Sequence, residues 1–249
     1  KEYRTFLQQF LRALKEELKC LEIEDRTWFH VSDEPSMEQL ETYRAAKTIL
    51  AEELEGYPTF DALSDYAFYE TGLVAQPVCA IDHIHPFLEN RPEKLWTYYC
   101  TAQGNKVTNR FISMPGTRTR ILGTQLYKYN LDGFLHWGYN FYNAQFSTRP
   151  IDPYCCTDAD RAFPSGDAFL VYPGKDGIPE ESIRIMLMAE AMADFRTMTY
   201  LEQLTDKETV LACIEPEGSA LVGLEEYPKT VTELMAIRSR INEKIKENL

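Results

Sequence analysis

TWFHVSDEPSMEQLETYRAAKTILAEEL, residues 27–54, places a short β-type run, two adjacent acids and a helical pattern in direct succession. TWFHVS (27–32) is rich in aromatic and β-branched residues, the composition of a half-buried strand. From Ser36 onward the apolar residues recur at helical spacing, and Ser36 with Gln39 matches a capping box that predicts a helix start. A strand followed at once by a helix is a β/α unit, and successive units of this kind imply a parallel sheet covered by helices.

Working outward, TFDAL (59–63), PVCAID (77–82), LWTYYCT (95–101), GFLHWGYNF (133–141) and DAFLVYP (167–173) read as further strands, separated by helical patterns or loops. An opening amphipathic helix over 3–19 carries Phe6, Phe10, Leu11, Leu14 and Leu18 at helical spacing. Two more helical patterns run from Glu181 to Leu204 and from about Thr230 to Lys246. The predicted fold class is α/β: a (β/α)8 TIM-barrel-type domain over 1–249. On that reading the chain is expected to cover the later strands and helices of the barrel, without its early strands. The segment 142–166, YNAQFSTRPIDPYCCTDADRAFPSG, has loop composition, and loops of that length in compact domains are often functional.

Composition narrows the function classes. With 249 residues and 44% hydrophobic content the chain can bury a substantial core, so disorder is not expected. No window reaches the ~18 consecutive apolar residues of a membrane-spanning helix. The formal net charge of −13 argues against nucleic acid and anionic membranes as partners, because phosphates would be repelled. Arg110, Arg118, Arg120 and Lys128 are too scattered in sequence to form a basic patch. Oligomeric state is left open. Cys20, Cys79, Cys100, Cys155, Cys156 and Cys213 show no C-x-x-C spacing, so reduced cysteines in a cytoplasmic protein are expected. A disulfide between the adjacent Cys155 and Cys156 is disfavoured by disulfide geometry.

The candidate chemistry starts at Asp33 and Glu34. On a regular strand neighbouring side chains point to opposite faces. At the C-terminal end of a barrel strand the pleat has ended, and both acids can turn towards one target. Pro35 predicts extended or polyproline backbone at Glu34. The competing reading is that the acids complement the dipole of the following helix. Aromatic residues come next: Trp96, Tyr98 and Tyr99 on one strand, and Trp137, Tyr139, Phe141 and Tyr142 on another. Such rings suit the apolar C–H faces of sugars, or a packed core. His30, His136 and the segment Asp82-His83-Ile84-His85 offer polar partners, and His83 with His85 raises a weaker zinc reading. Phosphate-binding and nucleophile-elbow motifs are absent, and no cofactor is expected.

HVSDEPS, DHIHPFLE, LWTYYCT, NRFISMPGTRTRILG, GFLHWGYNFYN and GDAFLVYPGKDG followed by SIR, taken in order, resemble the catalytic region of glycoside hydrolase family 123 and its wider relatives, also described as domain of unknown function 4091. The resemblance runs from about residue 27 to residue 204. It implies a retaining β-N-acetylgalactosaminidase-like enzyme on a (β/α)8 barrel, acting on a 2-acetamido-2-deoxy sugar by substrate-assisted cleavage. Glu34 then matches the general acid/base and Asp33 the residue orienting the acetamido group. Substrate contacts are expected from His30, Asp82, His83, Trp96, Tyr98, His136, Trp137, Tyr139 and Asn140, with no metal. The expected partner is a carbohydrate substrate, an amino-sugar glycoside. Two alternatives stand beside this: a non-catalytic carbohydrate-binding barrel and a zinc-dependent hydrolase.

Overall fold

The computed structural model describes residues 2–219 and 221–249. The chain divides into two compact units, one ending at Tyr98 and one starting at Tyr99.

The first unit opens with α1 (Glu2–Cys20), which buries Leu11 and Leu18. Phe6 and Phe10, expected on the buried stripe, instead stack on each other at 6.3 Å and are 62% and 51% exposed. β1 (Phe29–His30) is followed by a 3₁₀ turn and α2 (Leu40–Ala51). The turn begins as anticipated, with the Ser36 N–H donating to Gln39 Oε1 at 3.2 Å. Next come β2 (Thr59–Leu63), α3 (Ala67–Glu70), β3 (Gln76–Ala80), α4 (His85–Glu89) and β4 (Trp96–Tyr99). β1 pairs parallel with β2, β2 with β3 and β3 with β4.

In the second unit α5 (Gly116–Arg120) and α6 (Leu122–Lys128) precede β5 (Gly133–His136). The strand order of the sheet is β1-β2-β3-β4-β5, the same as chain order. That is how a barrel wall grows, whereas a doubly wound sheet reverses direction at a switch point. The fold is therefore mixed α/β on a five-stranded parallel sheet, compatible with part of a barrel. Closure into eight strands is not seen among the described residues.

DAFLVYP departs from the expected pattern. Only Val171–Pro173 is a strand (β6), and it pairs antiparallel with β7 (Pro179–Glu181) in a separate two-stranded hairpin. Gly174, Asp176 and Gly177 make the tight return, with the Gly177 N–H donating to the Gly174 carbonyl at 3.1 Å. The remaining helices are α7 (Ile183–Leu204), α8 (Lys207–Ile214) and α9 (Val231–Glu247). Ser182 caps α7 and Thr230 caps α9, where a full capping box with Glu233 forms. Ile121, Tyr127, Met198, Leu201, Val210, Ile214, Leu234, Ile237 and Ile241 form the core of this unit. α6 meets α7 closely at Gly123, where a Cβ would lie 1.9 Å from the Ala191 carbonyl oxygen.

The basic residues that looked scattered are internal fasteners of this unit. Arg120 binds Asp194 at 2.7 Å and Lys128 binds Glu215 at 2.6 Å. An Arg118 guanidinium nitrogen donates to the Val107 carbonyl. The segment 142–166 is a loop, as expected, with left-handed backbone at Phe146, Ser147, Ala159, Asp160 and Arg161. All six cysteines are free, including Cys155 and Cys156. Among the described residues no helix is long and apolar enough to cross a membrane.

Candidate active site

Parallel pairing puts the C-terminal ends of β1, β2 and β3 on one side of the first unit, and the expected acids follow β1 there. Register settles which residues share a face. His30 lies beside Phe60, Val78 beside Trp96 and Ala80 beside Tyr98. With side chains alternating along each strand, His30, Phe60, Trp96 and Tyr98 fall on one face, and Asp61, Cys79 and Thr97 on the other. Trp28, just ahead of β1, joins the first face through ring contacts at 5.6 Å to Trp96 and 6.3 Å to Phe60. Phe60 and Trp96 are 6.1 Å apart, and His30 and Phe60 are 5.8 Å apart. These half-buried rings make a continuous aromatic surface leading to the acids.

Asp33 is open to solvent, its side chain 83% exposed. Glu34 corrects the expectation drawn from Pro35. Its φ is +40°, in the left-handed region rather than extended. A residue with a side chain pays about 1–2 kcal/mol for that conformation, so it persists where surrounding contacts over-determine it. One such contact is visible: the Tyr98 hydroxyl donates to Glu34 Oε1. Pro35, directly after it, is buried.

Beneath the pair lies Asp61 on β2, which sequence reasoning missed. Its side chain is 2% exposed. Oδ1 accepts the Val31 N–H at 2.8 Å and the Ser32 N–H at 2.9 Å. Oδ2 accepts the Tyr43 hydroxyl, from α2, at 2.6 Å. His30 Nδ1 is 2.9 Å from the same Oδ1 and 3.2 Å from the Phe60 carbonyl oxygen. The ladder between β1 and β2 ends at His30, and the Asp61 carboxylate receives the next two backbone donors. Burial, reinforced by the bond to Asp61, pushes the Tyr43 phenol well above its usual range, so it remains a donor. A lone acid inside the apolar run TFDAL was the available signal.

Asp82 and His83 sit in the 3₁₀ turn after β3 and bond to each other, His83 Nδ1 to Asp82 Oδ1 at 2.9 Å. With Ser64, Asp65, Tyr66 and His85 they line a shallow recess. Among the described residues no three His, Cys, Asp or Glu side chains come together as a possible metal set.

In the second unit His136 ends β5 and is tied to Arg110, another residue not anticipated. Arg110 is wholly buried. Its Nε donates to His136 Nε2 at 2.9 Å, its Nη2 to the Asp167 carbonyl at 2.7 Å, and its Nη1 to the Asp167 carboxylate. Thr101 Oγ1 donates to the other Asp167 oxygen at 2.6 Å. Burial, then the charges of Arg110 and Arg184, bring His136 down to about 3, so it is neutral and accepts through Nε2. Trp137 packs on Phe163 at 5.3 Å and Phe141 at 5.9 Å within a small apolar cluster. Tyr139 is exposed and its carbonyl takes the Leu170 N–H, while Asn140 bridges to Phe169.

The sequence model described as glycoside hydrolase 123, catalytic domain, matches residues 1–201. The chain belongs to glycoside hydrolase family 123. Its fold is similar to that of a family 123 glycoside hydrolase from Clostridium perfringens, solved in a study of glycolipid glycan hydrolysis. The TM-score is 0.61 at 17% identity, over 99% of this chain and 44% of that enzyme. The family 123 chain described here thus spans less than half the length of that relative. The comparison with curated proteins finds no significant match.

Proposed function

We propose that this family 123 chain carries the catalytic centre of a retaining glycoside hydrolase that cleaves a 2-acetamido-2-deoxy sugar with help from the substrate's own acetamido group. The observation that carries this reading is the adjacency of Asp33 and Glu34 at the end of β1, with the Glu34 carboxylate held by Tyr98 beside an aromatic surface. Two carboxylates that displace and protonate directly must flank the sugar, about 5 Å or more apart. Adjacent acids suit a reaction in which the enzyme supplies no nucleophile.

The acetamido oxygen attacks the anomeric carbon as the glycosidic C–O bond breaks, and Glu34 gives its proton to the leaving oxygen. Asp33 accepts the acetamido N–H and offsets the positive charge of the oxazolinium. Water then attacks the anomeric carbon while Glu34 takes its proton, and the acetamido group is restored with net retention. Trp28, Phe60 and Trp96 stack on the C–H faces of the sugar chain. The relative's link to glycolipid glycans supports a glycan as the substrate class, and the acetamido-assisted reading narrows it to one that carries an amino sugar.

The test is a panel of aryl 2-acetamido glycosides and plain glycosides, assayed with the wild type and Glu34→Gln. Turnover confined to the acetamido series is expected, together with inhibition by a thiazoline analogue of the intermediate. Glu34→Gln should lose ~10²- to 10⁴-fold on substrates with poor leaving groups. Equal turnover of substrates lacking the acetamido group would overturn the substrate-assisted mechanism.

A further inference from the structure

Resting on that reading of Asp33 and Glu34, we propose that Asp61 and His30 form a positioning dyad, which sets both the path of the chain into the acid pair and the charge facing Asp33. The geometry has two parts. First, Asp61 Oδ1 gathers the N–H groups of Val31 and Ser32, the two residues immediately before Asp33. A single buried carboxylate thus replaces the strand ladder where β1 gives way to the turn, and the direction of Asp33 and Glu34 follows from where it stands. Tyr43 holds the other oxygen from α2, so the carboxylate cannot swing. Second, His30 lies between two carboxylates, Nδ1 2.9 Å from Asp61 and Nε2 3.9 Å from Asp33. A carboxylate on one imidazole nitrogen fixes the tautomer and the direction of the other.

The charged and titratable groups around His30 all favour its protonated form. Its pKa is raised, first by the hydrogen bond to Asp61, then by the Asp61 charge, the Phe60 carbonyl and the Asp33 charge, against the opposing effect of burial. With Nε2 turned towards Asp33 at 3.9 Å, the His30 ring gives that acid a fixed polar neighbour beside the sugar. Asp61 and His30 touch no reacting atom in this scheme. They act through Asp33.

The test uses Asp61→Asn, which keeps the size of the side chain and an oxygen for the Val31 and Ser32 N–H groups while removing the charge. With an aryl 2-acetamido glycoside, kcat is expected to fall ~10- to 100-fold with little change in KM, the signature of lost orientation rather than lost binding. The Asp61→Asn/His30→Gln double variant should be no slower than the slower single one, because both act by one route. NMR titration of the His30 ring gives a readout independent of turnover. Its midpoint should drop in Asp61→Asn and, by less, in Asp33→Asn. Unchanged kcat in Asp61→Asn, or a His30 titration blind to both substitutions, would overturn the dyad. Glu34→Gln assayed in parallel separates the two proposals: full activity there sinks the acid/base reading, while the titration still reports on Asp61, His30 and Asp33.

Discussion

The hydroxyl of Tyr98 reaches back 64 positions along the chain to hold the carboxylate of Glu34. Tyr98 is buried at the end of β4, whereas Glu34 lies in an exposed turn after β1. A rigid donor thereby fixes a side chain whose own backbone is strained. Tyr98→Phe keeps the ring and removes only the donor. Its kcat on an aryl 2-acetamido glycoside is expected to fall ~10- to 100-fold, with thermal unfolding nearly unchanged. Unaltered kcat would show that Glu34 is oriented without Tyr98.

The left-handed backbone at Glu34 should be measurable by itself. Glu34→Ala and Glu34→Gly both remove the carboxylate and its bond to Tyr98, so their difference isolates the conformation. The glycine variant is expected to be more stable than the alanine variant by about 1 kcal/mol in urea unfolding, the reverse of the usual order in regular elements. Both should be inactive.

His136 links stability to pH. Its folded pKa is about 3 against the ordinary 6.5, so the unfolded chain takes up a proton that the folded chain does not. The contribution is complete above pH 6.5 and declines as pH falls, by about 1.4 kcal/mol per unit, until the folded value is reached. Between pH 6.5 and 5 this amounts to roughly 2 kcal/mol. His136→Gln retains an oxygen acceptor for Arg110 and cannot titrate. Its unfolding free energy should fall less than the wild type's over that interval, and parallel pH profiles would show that His136 protonates in the folded state. His30 acts in the opposite sense: its raised pKa stabilises below 6.5 and is lost as pH rises through the folded value.

The contact between α6 and α7 leaves no room for a methyl group at Gly123. The obstacle is the backbone of Ala191, which cannot rotate away as a side chain would. Gly123→Ala is therefore expected to cost about 2 kcal/mol or more, seen as a lowered denaturation midpoint, despite alanine's better helix propensity.

The β-type runs at 27–32, 59–63, 77–82, 95–101 and 133–141 all contain strands of the sheet, because β-branched and aromatic enrichment is a local property of the chain. Pro179–Glu181 gave no such signal. It is exposed and acidic, and it is a strand only because the turn at Gly174–Gly177 folds it onto Val171–Pro173. Adjacent acids and a following proline were visible in sequence, but the left-handed φ of Glu34 and its bond to Tyr98, 64 positions away, are tertiary features that local spacing does not reveal. Likewise, Arg110 looked like one of several dispersed charges until tertiary folding closed Asp167 and His136 around it.

Because every strand of the first unit pairs with the one made just before it, the sheet can be laid down in the order in which a ribosome delivers it. Within this unit the acid pair is made before Tyr98, which arrives only with its last strand. The bond between Tyr98 and Glu34 therefore forms only once β4 is in place. Its final geometry records that the whole unit has been completed, which couples competence of the turn to successful folding of everything made between them.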